Sequence, residues 1–337
     1  MITTRPLRAP RPARRHARGL TLVELMVSLV IGLLIVIAMS ALFVGSTRSR
    51  REVELSADVI ESGRYAVDVL SRELSQAGFY GSLVPPSGST WTAASACSTD
   101  ETTWADSLMI HAFGWNSAPA ASDADPSCLA RKAGTDAIFV QRASTCAVGE
   151  ANCEAENANY AYIQVSECGT EYSALATPYV VARGTSASFT LQSNACNGTL
   201  AAKRKLIRRI YYISTDNKLN YMDVQASGAQ TPVTLVENVE QMQIEYAVAT
   251  ATSSGTAQSF TSTPTSADWP NVVGARIWIL ARSTDASTTA GAATSFEMGD
   301  YTGTNAVAFS AAATNPKRRV YSTYVPFTTP KSAKEAF

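Results

Sequence analysis

From Leu20 to Val44 the chain reads LTLVELMVSLVIGLLIVIAMSALFV, twenty-five residues in which Glu24 is the single charge. About 20 apolar residues suffice to cross a bilayer as a helix, and lipid leaves a lone segment no other way to pair its backbone. The run therefore predicts a membrane-spanning helix. A carboxylate inside such a helix costs about 2.5–3.5 kcal/mol or more. Glu24 thus calls for a compensating partner.

Six arginines and no acid precede the run: Arg5, Arg8, Arg11, Arg14, Arg15 and Arg18. They hold that end in the cytoplasm, which places everything after Thr47 on the far side. Lys+Arg 28 balances Asp+Glu 28 overall, but beyond residue 19 the chain carries 22 basic against 28 acidic side chains. An acidic remainder lacks the basic face that neutralises phosphates, so no nucleic-acid partner is expected. The six cysteines, Cys97, Cys128, Cys146, Cys153, Cys168 and Cys196, all follow the run. An even count beyond a membrane-targeting segment predicts disulfides in an oxidising compartment. No C-x-x-C pair is present, which speaks against zinc or thioredoxin-like chemistry. Proximity suggests only one pairing, Cys146–Cys153.

The helix is expected to continue past the membrane. Arg51 to Gln76 holds no proline and one glycine, Gly63. Val53, Ile60, Val67 and Leu74 recur every seven residues, with Ser56, Gly63 and Leu70 between them, predicting a core-facing stripe. Glu54, Asp58, Glu61, Asp68 and Arg72 fall on another face, with Arg64–Asp68 and Asp68–Arg72 at ion-pairing spacing. Gly78 is placed to cap the C-terminus. Leu20 to Gln76 reads as one helix, roughly 85 Å long at 1.5 Å per residue.

After Gly81 the residues are small and polar, with β-rich segments between. Strands are expected at Leu108–Phe113, Ala137–Arg142, Ala161–Val165, Tyr179–Ala182 and Ser188–Gln192. Stronger ones follow at Leu206–Ser214, Lys218–Val224, Val233–Ala249, Val272–Ala281 and Arg319–Pro326. Asp216-Asn217 is a hairpin turn, and the run 233–249 should break near Glu237 in a helical or looped turn. Loops at 83–105, 115–135, 250–270 and 283–305 are rich in small residues. One helix followed by many strands predicts an α+β fold, the helix packed on an antiparallel sheet with a large loop-rich insert.

Arg18-Gly19-Leu20-Thr21-Leu22-Val23-Glu24 ahead of the apolar run resembles the cleavage site of type IV prepilins and type II secretion pseudopilins. The resemblance implies that a prepilin peptidase cuts after Gly19, that Leu20 becomes the methylated N-terminus, and that Glu24 is the family's glutamate. Major pilins usually carry Phe where Leu20 stands, which points to a minor subunit. ESGRYAVDVLSRELSQAGFYG (61–81), LVENVEQMQIEYAV (235–248), DWPNVVGARIWILARS (268–283) and RRVYSTYVPF (318–327) are similar to the minor pilin family PilW. Residues 84–200 match nothing in that pattern. The implied division is a leader at 1–19, a transmembrane assembly half of the helix at 20–47, an amphipathic half at 48–78 and a periplasmic β-rich domain at 79–337. The implied role is a minor-pilin complex that primes type IV pilus assembly, with twitching motility and adhesion as its outputs. Its partners would be the prepilin peptidase, other minor pilins, the major pilin, inner-membrane lipid and a tip adhesin. It would reside in the bacterial inner membrane by a single pass, and at the pilus tip.

Physics supports the same reading. Cleavage after Gly19 creates an α-ammonium close to Glu24, and staggered parallel helices set one chain's amine against another's carboxylate. An ordinary signal peptide fits less well, since its apolar region is shorter and lacks an acid. Ser28 and Gly32 have small-x-x-x-small spacing, which is also ordinary in a span. The cluster Lys203–Tyr212 mixes basic and aromatic residues as a nucleic-acid backbone contact would, but reads rather as strand charges split between two faces, with Lys at an edge discouraging edge pairing. Ser122-Asp123-Ala124-Asp125 falls short of a calcium cage, and Asn197-Gly198-Thr199 is only a formal sequon. No catalytic motif, metal site or cofactor is indicated, and His111 reads as a strand residue. Two other readings stay open: a J-like pseudopilin of a type II secretion system, and a membrane-anchored periplasmic binding or carboxylate-based hydrolytic domain.

Overall fold

One helix, α1, runs from Leu22 to Ser75 in the computed structural model, which describes residues 19, 21–83, 96–117, 128–227, 230–249, 259–287, 294–299, 306–309 and 315–328. Thr21 starts it, its hydroxyl accepting the backbone N–H of Glu24 at 3.3 Å. Thr21-x-x-Glu24 is the sequence of a capping box, a helix-start signal. Farther along, the hydroxyls of Ser28, Ser40 and Thr47 donate to the carbonyls of Glu24, Val36 and Phe43 at 2.7, 2.8 and 2.9 Å. Each hydroxyl is thereby satisfied inside its own helix, as an apolar surrounding requires. The chain divides into two compact units between Val53 and Glu54.

In the second unit α1 buries Leu55, Val59, Gly63, Ala66, Leu70 and Leu74. This corrects the seven-residue stripe: Val53 is 66% exposed, and Ile60 and Val67 are only half-buried. The buried positions 55, 59 and 63 recur at 66, 70 and 74, an eleven-residue repeat. Such a repeat gives about 3.67 residues per turn, near that of a straight helix, whereas a heptad face drifts by about 20° per repeat. Gly78, at φ 77°, ends the turn after the helix, and Asp68 pairs with Arg72.

The strands are β1 (Ala112–Trp115), β2 (Ala137–Ala147), β3 (Ala161–Val165), β4 (Tyr179–Arg183), β5 (Lys203–Ile213), β6 (Lys218–Asp223) and β7 (Pro232–Glu237), which share one sheet. A short helix, α2 (Gly169–Ala174), precedes β4. Next come β8 (Val239–Val248), β9 (Ser259–Thr261) and β10 (Val272–Ser287); β11 (Thr294–Phe296) and β12 (Val307–Phe309) pair with each other. Finally β13 (Asn315–Pro326) completes a second sheet in the order β13-β10-β8-β9. Every pairing is antiparallel, as the α+β reading requires. β5 pairs with β2 along one edge and with β3 and then β6 along the other. Ser188–Gln192 is not a strand but holds a single bridge, Gln192 to Leu200, and the first strand begins at Ala112 because residues 105–107 form a 3-10 turn.

Two asparagines in left-handed conformation direct the chain. Asn217, at φ 62°, closes the β5–β6 hairpin at the expected Asp216-Asn217 turn. Asn238, at φ 63°, is the lone residue between β7 in the first sheet and β8 in the second. The break near Glu237 is therefore one residue long, and what precedes it is a strand rather than a helical turn. The Asn238 side chain donates to the Thr284 hydroxyl at 2.9 Å, and its carbonyl accepts from Arg282 N at 2.9 Å. Asn tolerates this conformation better than other side-chain-bearing residues, so a one-residue crossing is affordable there.

The core unites helix and both sheets: Ala66, Leu70 and Leu74 cluster with Phe139, Ile210, Met242 and Ile277. At Gly63 an added Cβ would run into the ring of Tyr321 on β13. Nearby, Lys317 Nζ donates to Ser56 Oγ at 2.8 Å. At the helix end, Glu73 takes Arg142 of β2 and Arg209 of β5 at 3.2 and 3.4 Å. Gly63→Ala is expected to destabilise the domain by about 1–3 kcal/mol, despite alanine's better helix propensity. Thermal denaturation checks this; Tyr321→Ala in the same chain should recover much of the loss, and equal losses in both backgrounds would discount the contact.

Across β10, Glu240 of β8 accepts Nε and Nη2 of Arg318 of β13 at 2.6 and 3.3 Å, both side chains 9% exposed. Glu240 is the extra residue where the β8–β10 register shifts between Leu280 and Ala281, and such a bulge re-aims a side chain. Lys132 Nζ donates to the Glu240 carbonyl at 2.9 Å. Burial holds the Lys132 ammonium below its ordinary value, and the Glu240 carboxylate opposes that shift.

Candidate assembly site

The exposed residues Gly19 and Thr21 flank Leu20, which lies outside the described residues, as do 1–18. Glu24 follows in the first turn of α1. The positive end of the helix dipole favours an acid there by about 0.3–1 kcal/mol. That is less than the roughly 2.5–3.5 kcal/mol of placing the carboxylate in lipid. The helix's own field does not account for Glu24.

From Leu22 to Val44 the large apolar side chains are 47–75% exposed. None of the described residues covers them. At about 25 cal/mol per Å², leaving such a surface in water is prohibitive over so many residues. Lipid or neighbouring apolar helices are the media that fit it.

Elsewhere the polar groups turn inward. His111 is 4% exposed, with Nε2 2.7 Å from the Val272 carbonyl and Nδ1 3.2 Å from that of Met109. Asp136 is buried and accepts Ser117 N and Oγ at 2.9 Å each and Ile244 N at 2.8 Å, joining the two sheets. Burial pushes its carboxyl up to about 6, against the pull of those donors. Because the folded value exceeds the ordinary 3.8, its contribution to stability is full below the lower value and lost as pH rises through the higher. Between pH 4 and 7 the stability of wild type relative to Asp136→Asn should fall by on the order of 2–3 kcal/mol. Denaturant titrations at the two pH values check the slope.

The basic cluster is used within the chain, on the central strand β5 rather than at a sheet edge, which corrects the edge-protection reading. Lys203 pairs with Glu156, Lys205 with Glu154, and Arg209 with Asp223 and Glu73. Arg204 donates to the carbonyls of Ser144 and Thr145. Arg208 is 1% exposed, stacked 4.3 Å from the Trp104 ring centre and 5.0 Å from that of Phe139. Burial lowers its guanidinium to about 9. A lone arginine among strand cations gave no sign in sequence of being a core residue.

The cysteines pair as Cys97–Cys128, Cys146–Cys153 and Cys168–Cys196. Among the described residues, the one group spaced to hold a metal is Cys146, Glu150 and Cys153, whose two sulfurs are bonded to each other. The Asp123 and Asp125 pair lies outside the described residues. Asn197 Oδ1 accepts Thr199 N at 3.1 Å, a local turn.

Comparison with known proteins adds two family matches. Residues 179–328 match the family model of type IV pilus-assembly protein W, and residues 14–40 match the prokaryotic N-terminal methylation motif. In structure the chain is similar to a type IV-like pilin from Thermus thermophilus, with 12% identity and a TM-score of 0.35, over 82% of this chain and 96% of that one. No curated protein matches it significantly in sequence.

Proposed function

For a type IV pilin-like minor pilin of the PilW family, which the two matched segments make this chain, we propose a specific route into the filament. Prepilin peptidase cuts after Gly19 and the new N-terminus, Leu20, is methylated. The mature chain waits in the inner membrane by a single pass of α1, its globular domain in the periplasm. It then joins other minor pilins in a complex that primes assembly with the major pilin, and stays at the tip, where twitching and adhesion depend on it. The families matched are structural proteins, and the role needs no catalytic group.

One observation carries the proposal: Glu24 sits in an apolar helix that the described residues leave uncovered, close in sequence to the amine that cleavage would create. In a dry helix bundle, the amine of one subunit and the carboxylate of its neighbour satisfy each other, and leaving either alone is costly. Mass spectrometry of the mature N-terminus tests it. A methylated Leu20 is the expected result, and an intact leader would overturn the route. Gly19→Val is expected to abolish processing, because a branched side chain beside the scissile bond does not fit where glycine does; a band of mature size on an immunoblot would refute this. Deletion should abolish twitching, whereas loss of protein secretion alone would reassign the chain to a pseudopilus.

A further inference from the structure

We infer that Arg48, Arg50 and Arg51 form a collar that binds the anionic phospholipid headgroups of the periplasmic leaflet. The inference rests on the proposed membrane topology and cleavage. Between Glu24 and Arg48 lie 23 residues without a charge, all within the continuous helix α1. At 1.5 Å per residue they span roughly 34 Å, slightly more than the roughly 30 Å hydrocarbon core. With Glu24 just inside the cytoplasmic face of the core, Arg48 emerges beyond the opposite face, in the headgroup layer. Thr47, whose hydroxyl turns back to the Phe43 carbonyl, is the last polar group before it.

The three arginines are exposed. At about 100° per residue they project to different sides of the helix rather than along one stripe. A protein helix packed alongside would meet one side, but lipid surrounds a spanning helix on all sides. The collar therefore matches headgroup phosphates better than a single protein partner. The charge then reverses at Glu52 and Glu54. An anionic surface attracts the first group and repels the second, so the change of sign fixes how deeply the helix sits.

The leader gives this collar its timing. During insertion, six leader arginines on the cytoplasmic side outnumber the three beyond the span. Cleavage removes all six and leaves only the α-ammonium on that side. The three outer arginines then become the dominant cationic hold on the bilayer.

The test is native mass spectrometry of the full chain, purified from its membrane in detergent and offered equimolar phosphatidylglycerol and phosphatidylcholine. The wild type should retain phosphatidylglycerol preferentially, with roughly five-fold preference per arginine at low salt, weakening as salt rises. Arg48→Gln/Arg50→Gln/Arg51→Gln should retain the two lipids equally, while Arg64→Gln, on the exposed side of the same helix beyond the membrane, should behave as wild type. Equal retention by the wild type, or preference kept by the triple variant, overturns the inference. A co-purified acidic subunit that replaces the lipid preference and is lost in the triple variant overturns it too, in favour of protein. The intact mass in the same spectrum separately reports whether residues 1–19 are gone, so a failure of the cleavage reading is seen independently of the lipid result.

Discussion

Glu24→Ala is expected to leave processing after Gly19 intact and to remove the protein from sheared pili. The substitution should ease membrane residence, since it relieves the roughly 2.5–3.5 kcal/mol of a carboxylate in lipid. On the proposed pairing, what it takes away is the neighbour's partner. An α-ammonium left unpaired in a dry bundle costs about 3–5 kcal/mol, a factor of at least a hundred in occupancy. Membrane fractions should therefore show normal or raised amounts of mature protein while the pilus fraction is empty. Glu24→Gln should fail in the same way, because it keeps the size and loses the charge. Normal incorporation of either variant would refute the pairing, and defective processing would show that Glu24 serves the peptidase instead.

Glu240→Leu is expected to destabilise the globular domain by about 3–5 kcal/mol, on the order of 10 °C in melting temperature. Glu240 and Arg318 are each 9% exposed and meet across β10 in a two-pronged contact. Removing the acid strands a buried guanidinium close to Lys132, whose ammonium is already disfavoured by burial. Adding Arg318→Met should recover much of the loss, since a well-packed apolar pair often replaces a buried ion pair without penalty. A single variant as stable as wild type would mean that water reaches the site. Because Lys317, the neighbour of Arg318, holds Ser56 of α1, the same variant should also loosen the helix. Faster amide exchange between residues 55 and 74 would register that coupling.

Much of the architecture was legible before any coordinates. Gly78 ends the helical segment, Asp216-Asn217 turns a hairpin, and Ala161–Val165 is a strand from end to end, because each depends on a few neighbouring residues. Period alone misplaces the stripe on α1. Gly63, Leu70 and Leu74 were on it, but Val53 was not, since only a supercoiled helix keeps a seven-residue face aligned. Strand limits were least visible where flanking turns decided them, as at Ala112.

By itself the sequence determined the long helix, the single acid of its apolar run, the basic N-terminal stretch and the α+β class. These follow from hydropathy, charge and period along one segment, where the relevant physics is local. Tertiary structure alone decided the rest. The sheet divides at Asn238, β5 becomes a central strand, Arg208 enters the core, and Cys97 and Cys168 find Cys128 and Cys196. Each of those outcomes joins residues far apart in the chain, and no local preference distinguishes their partners. Packing chooses them, because only the assembled core makes one pairing cheaper than its rivals.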